Sequence, residues 1–156
     1  MYILQPLLRI RTMREDRAAG ELTAARQALA AAEEALAARK RELAEFESTK
    51  EERRDRIYAT VIGRAVSRDQ LDMVTEGVAR IDEEGALKAD NVKRAEADVR
   101  TRAEQESAAR RAYNEATKER MKIDEHRLVW LEAEAAEQET RAEGELEDFV
   151  GRKLEI

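Results

Sequence analysis

Helix-breaking residues are almost absent from this chain, and their absence limits its fold more than any other feature. Pro6 is the only proline in 156 residues. It suits the first turn of a helix, where its missing N–H has no partner to lose. Between Pro6 and Tyr58, Gly20 is the only residue that interrupts the helical pattern. Charged residues make up 41% and aromatic residues 4% of the chain, which is typical of long helices or a coiled coil. The absence of cysteine excludes a disulfide scaffold.

Heptad spacing runs along both predicted helices. Leu22, Leu29, Leu36 and Leu43 lie seven residues apart, and alanines precede the first three leucines by four positions. Alternating steps of three and four indicate a coiled-coil seam. The first helix is predicted at about 7–58. The same template predicts a second helix at about 68–149, whose seam is interrupted by several charged residues.

The segment between them, about 59–67, is predicted to be a turn around Gly63. Ser67 followed by Gln70 forms a capping-box pattern, and Val66 with Leu71 suits a hydrophobic staple. A short connection favours antiparallel neighbours. The prediction is therefore an all-α fold with one coiled-coil domain over 1–156, a long antiparallel two-helix coiled-coil hairpin. Reversal at Gly63 would place Leu29 near Val99 and Leu36 near Val92.

The second helix is predicted to extend beyond the first as a C-terminal overhang of about 30 residues. Residues 131–156 hold nine acidic and three basic residues, which accounts for the whole net charge of −6. An acidic end on an otherwise neutral chain argues against nucleic acid, which requires a basic surface. No apolar run approaches the roughly 18 residues of a membrane span, so no membrane insertion is expected.

Motifs for catalysis are not found. No phosphate-binding glycine loop occurs, and His126 is the only histidine, without the spacing of a metal site. Carboxylate pairs such as Glu33 and Glu34 lie on predicted exposed helix. The sequence predicts no catalytic residue, no cofactor and no metal, and hence no enzyme.

Three segments together resemble the YscO family of type III secretion systems. They are 7–22 (LLRIRTMREDRAAGEL), 57–81 (IYATVIGRAVSRDQLDMVTEGVARI) and 145–153 (ELEDFVGRK). The resemblance implies a stalk that is similar to the central stalk of rotary ATPases and to FliJ. In that arrangement the terminal end occupies the hexameric export ATPase and the turn faces the cytoplasmic ring of the export gate. The resemblance also implies escort of secretion chaperones, and a location in the bacterial cytoplasm, peripheral at the base of the apparatus.

Candidate binding residues follow from the matched segments. Those expected to contact the ATPase through charged and apolar groups are Leu8, Arg9, Arg11, Arg14, Arg17, Glu147 and Phe149. Those expected to contact the export gate are Tyr58, Ile62 and Arg64. Trp130 is added as an ATPase contact because an aromatic residue in the overhang lacks a partner in the first helix; the alternative is that it packs on Leu7 or Leu8.

Two other interpretations stay open from the residues alone. One is a chaperone-like or adaptor coiled coil that binds clients through its apolar tips. The other is a parallel dimeric coiled-coil tether in which 59–67 is only an interruption. The hairpin interpretation predicts a monomer when the protein is free.

Overall fold

A computed structural model describes residues 1–154. It contains two helices, α1 (Gln5–Ala59) and α2 (Arg68–Leu154), of 55 and 87 residues. They pack against each other as an antiparallel hairpin, so the predicted all-α fold is confirmed. Because one chain supplies both helices, the dimeric tether is contradicted. The second helix continues past the predicted end near Phe149 to Leu154, since Gly144 and Gly151 lie among residues that favour helix.

The loop between the helices is held by local hydrogen bonds. The N–H groups of Val61 and Ile62 donate to the carbonyl of Tyr58 at 3.0 and 3.1 Å. Gly63 then adopts φ of 71°, a conformation that glycine reaches without steric cost. The predicted capping box is confirmed: the N–H of Gln70 donates to Ser67 Oγ at 3.3 Å, and the N–H of Ser67 donates to Gln70 Oε1 at 2.9 Å.

Contacts divide the hairpin into two units. The first unit joins Met1–Leu22 to the part of α2 that begins at Ala109. The second unit is Thr23–Ala108.

The core of the second unit is built from an aromatic ring set against a glycine. Phe46 is 5% exposed, and a Cβ added at Gly85 would lie 2.7 Å from Phe46 Cε1. Gly77 likewise lies against Ile57, at 3.3 Å. The other buried side chains of this unit are Ala32, Val74, Ile81 and Val92. Gly85, which breaks the apolar heptad pattern, therefore makes room for the largest side chain of this core.

Ion pairs between the helices border this core. The Arg53 guanidinium donates a hydrogen bond to the Glu84 carboxylate at 2.8 Å, and Arg54 forms an ion pair with Asp82. The hydrogen bond from Arg53 lowers the pKa of the Glu84 carboxyl below its ordinary value. Arg26 also reaches Glu106, at 3.6 Å.

The sequence determines the register only to within about one helical turn, and the structure differs from a simple reversal at Gly63. Phe46 lies against Gly85. The register that pairs Leu36 with Val92 would instead set Phe46 opposite Asp82. Ile57 lies against Gly77, whereas the expected register would set Ile57 opposite Leu71. The expected register is therefore displaced by about one helical turn. The cause is that the chain reverses over the whole loop between Ala59 and Arg68 and not at Gly63 alone.

The contact between Gly85 and Phe46 predicts the effect of a substitution. Gly85→Ala should lower the free energy of unfolding by about 1 kcal/mol, because overpacking costs more than the helix propensity gained. Gly20→Ala is the matched control, since nothing lies within 4 Å of its added Cβ, and it should raise stability by about 0.5–1 kcal/mol. Urea and thermal unfolding followed by circular dichroism measure both. Equal stabilisation by the two changes would contradict the packing.

Candidate partner-binding surfaces

The start of α1 turns some of its predicted binding residues inward. Leu8 is 8% exposed, because it continues the heptad of Leu22 back along the helix. Arg11 pairs with Glu119 at 3.0 Å. Glu15 lies one heptad after Leu8. Its carboxylate accepts a hydrogen bond from the Thr117 hydroxyl group at 3.1 Å and forms an ion pair with Arg120. Leu8 and Arg11 thus hold α1 against α2.

The opposite side of the same helix is exposed and carries both charge and apolar area. Ile10 is 47% and Met13 70% exposed. Arg9, Arg14 and Arg17 are exposed around them. We call Arg9, Ile10, Met13, Arg14 and Arg17 the α1 outer face; the last four line a shallow groove.

The charges of this face are only partly neutralised. Arg17 pairs with Glu21 at 3.2 Å, and both side chains are largely exposed. Within residues 1–154, no ion pair engages Arg9 or Arg14. These two guanidinium groups are therefore free to meet an acidic partner.

Trp130 has an aromatic partner at the start of the chain, outside the first helix, where the sequence predicted none for it. Its ring centroid lies 5.4 Å from that of Tyr2, which precedes α1. Tyr2 is buried, at 7% exposed, and its Oη lies 2.8 Å from Nδ1 of His126. This aromatic contact comes from Tyr2. Sequence reasoning missed Tyr2, which lies three residues before the start of α1 and outside the heptad pattern.

Beyond Trp130, α2 continues as an exposed helix. Its last three turns carry four exposed apolar side chains, which we call the tail patch: Leu146, Phe149, Val150 and Leu154. Their spacing places them on one side of the helix. Phe149 is 63% exposed, and Lys153 lies over its ring at 5.5 Å. Glu147 is exposed beside the patch.

The loop end carries the residues expected to meet the export gate. Ile62 is 71% and Tyr58 42% exposed, and Arg64 is exposed in the loop. Next to them is an apolar groove of about 400 Å³, lined by Ile57, Thr60, Val61, Gln70, Met73, Val74 and Gly77. Sequence reasoning missed Met73, which is 71% exposed and extends the apolar area of the loop end onto α2.

Within residues 1–154, no group of three or more histidine, cysteine, aspartate or glutamate side chains could hold a metal ion. Over the same residues, neither helix has a stretch long and apolar enough to cross a bilayer.

An all-α hairpin with exposed apolar and charged surfaces at its helix ends defines a coiled-coil protein suited to binding other proteins. The family model of the type III secretion protein YscO matches residues 4–152, and the chain belongs to the YscO family. The resemblance inferred from three segments is thereby confirmed, and with it the assignment to type III secretion.

A solved structure supports the fold independently. The structure of a YscO homolog, CT670 from Chlamydia trachomatis, matches with a TM-score of 0.71 and 22% identity, covering 98% of this chain and 93% of that chain. At that identity the likeness shows the fold alone. Comparison with curated proteins gives no match.

The contact of Tyr2 with Trp130 can be read out by fluorescence, because Trp130 is the only tryptophan. Tyr2→Ala should expose the indole to water and shift its emission to longer wavelength. Tyr2→Phe is the control, because it keeps the ring contact and loses only the hydroxyl group. An emission maximum unchanged in Tyr2→Ala would contradict the packing.

Proposed function

We propose that this chain is a non-enzymatic stalk of a type III secretion apparatus, linking the hexameric export ATPase to the export gate. It would act in the bacterial cytoplasm, peripheral at the base of the apparatus. Family membership supports the assignment to type III secretion, and the surfaces of the hairpin support the two-ended binding role.

One observation carries the proposal: α2 continues from Trp130 to Leu154 without a partner from α1, and it ends in exposed apolar side chains. Large exposed apolar side chains on one side of a helix mark a surface for another protein. Glu147 and Phe149 are the residues of this end that we assign to the ATPase. A ring of subunits around the helix would cover the tail patch from several sides.

The α1 outer face is the second part of the proposed ATPase contact. Arg9, Arg14 and Arg17 are available for charge-assisted hydrogen bonds to carboxylates of the ATPase. Leu8, Arg11 and Trp130 take a different role in this proposal. They hold the two helices together behind the surface and so position the exposed arginines and the tail.

Charge reversal tests this contact. The triple variant with Arg9→Glu, Arg14→Glu and Arg17→Glu should bind the cognate ATPase hexamer at least about tenfold more weakly, because attraction becomes repulsion. Co-purification and titration with the hexamer measure the loss.

The matched control reverses three exposed basic residues of the second unit, Arg41, Lys93 and Arg100, and should bind normally. Circular dichroism checks that both variants remain helical. Equal binding by the two variants would remove the α1 outer face from the contact.

At the loop end we assign Tyr58, Ile62 and Arg64 to the export gate. A second candidate function, escort of secretion chaperones as an adaptor, is favoured by the apolar groove beside them. Methionine-lined apolar grooves suit helices of varied sequence, because the methionine side chain adapts its shape.

The double variant Tyr58→Ala with Ile62→Ala distinguishes these roles. It should lose binding to the cytoplasmic ring of the export gate by about tenfold or more and leave ATPase binding unchanged, because these side chains lie in the second unit. Loss of chaperone binding with normal gate binding would favour the adaptor. Normal binding to both would contradict the assignment of this end.

A further inference from the structure

The segment before α1 forms a tight turn that presents one large apolar side chain to solvent. The N–H of Gln5 donates to the carbonyl of Tyr2 at 3.2 Å, and we call residues 2–5 the N-terminal turn. Ile3 lies in the middle of this turn and is 86% exposed. Tight turns favour Gly, Pro, Asn, Asp and Ser for reasons of backbone conformation, so the turn itself does not require an isoleucine.

Tyr2 fixes the N-terminal turn to α2. Its side chain is buried, and its ring centroid lies 5.4 Å from that of Trp130 and 5.8 Å from that of His126. Its hydroxyl group lies 2.8 Å from Nδ1 of His126. An aromatic ring packed on two residues of one helix holds the backbone beside it in one position. Tyr2 therefore determines where Ile3 lies.

Ile3 borders a cavity that reaches the α1 outer face. We call this space of about 400 Å³ the turn cavity; it is lined by Met1, Tyr2, Ile3, Gln5, Pro6 and Arg9. Arg9 also belongs to the α1 outer face. Pro6, Ile10 and Met13 are spaced by four and three residues, which places them on one side of α1. The exposed apolar area of the α1 outer face therefore continues through Pro6 to Ile3.

The lining of the turn cavity indicates the chemistry of a partner. Met1, Ile3 and Pro6 supply apolar walls, and Arg9 is exposed at the edge. A protein that presents a large apolar side chain with a carboxylate beside it fits this lining. The apolar side chain fills the cavity, and the carboxylate forms a charge-assisted hydrogen bond with Arg9.

A protein surface fits the N-terminal turn better than an anionic membrane does. An exposed isoleucine near arginines can bind at a lipid surface. However, residues 131–156 of the same unit hold nine acidic and three basic residues, and anionic headgroups repel them. A protein partner avoids this repulsion, because its carboxylates need to lie only opposite the arginines.

We infer that the N-terminal turn is a further part of the ATPase contact. Ile3 and the turn cavity receive an apolar side chain of the ATPase, and Tyr2 is the positioning residue that holds them in place through Trp130. The inference rests on the proposed function for the identity of the partner. It extends the assigned surface from Arg9 onto residues that precede α1.

Substitution of Ile3 tests the contact. Ile3→Asp should bind the cognate ATPase hexamer at least about tenfold more weakly, because a carboxylate replaces the apolar group. Trp130 emission should stay unchanged, which shows that the turn remains docked. The matched control is Leu87→Asp, since Leu87 is an exposed apolar residue of the second unit, 58% exposed. It should bind as the wild type does.

A double-mutant cycle tests the positioning role of Tyr2. Tyr2→Ala should weaken ATPase binding at least about fivefold, and Tyr2→Phe should stay within about twofold of the wild type because it keeps the ring contact. The double variant Tyr2→Ala with Ile3→Asp should bind no more weakly than Ile3→Asp alone, since Tyr2 acts through Ile3. Losses that multiply in the double variant would overturn this role.

Photocrosslinking locates the contact without relying on a loss of binding. The chain contains no cysteine, so a benzophenone maleimide can be attached to an Ile3→Cys variant alone. Irradiation with the ATPase hexamer should give a covalent adduct. The same label on a Leu87→Cys variant should give none.

The outcomes separate this inference from the proposed function. A wild type that does not bind the ATPase would overturn both. An Ile3→Asp variant that binds as tightly as the wild type, while the triple arginine variant loses binding, would overturn the inference alone. If Ile3→Asp instead loses cosedimentation with phosphatidylglycerol vesicles and keeps ATPase binding, the N-terminal turn belongs to a membrane contact and the inference is wrong.

Discussion

The close approach of two helices supplied by one chain is the constraint on which the structure depends. In the second unit that approach is set by Phe46, whose ring fills the space left by the missing side chain at Gly85. A coiled coil with few large apolar residues buries little area per residue, so each such contact counts for more. Ion pairs such as Arg53 with Glu84 lie at the border of this packing. They favour one register more than they add to stability, because exposed pairs contribute little.

Near its ends the hairpin also keeps exposed side chains that do not contact the other helix and can contact another protein. Leu8 and Arg11 face the other helix and hold α1 to α2. Side chains only one to three positions away, including Ile10 and Arg14, remain exposed. A helix pair without a third layer always has such outward sides. What distinguishes this chain is that its outward sides near the ends are both apolar and charged.

Much of the fold could be predicted from heptads and caps, because these depend on local spacing. The leucine series from Leu22 and the capping box at Ser67 required no tertiary information. The register could not be predicted, because it depends on how a loop of several residues reverses and on where Phe46 finds a glycine. For the binding surfaces, residue type indicated the right segments but not the side of the helix. Extending the leucine heptad back to Leu8 would have shown that it faces inward. The partner of Trp130 was missed because Tyr2 precedes the helix and has no place in a heptad.

The most direct test of the central claim is an intramolecular distance between the two helices. Spin labels at Arg39→Cys and Lys93→Cys, both exposed positions of the second unit, should lie within about 25 Å in a hairpin of packed helices. Dilution of the doubly labelled protein with excess unlabelled protein ensures that the distance arises within one molecule. A separation of about 80 Å, as one continuous helix would give over those residues, would contradict the hairpin.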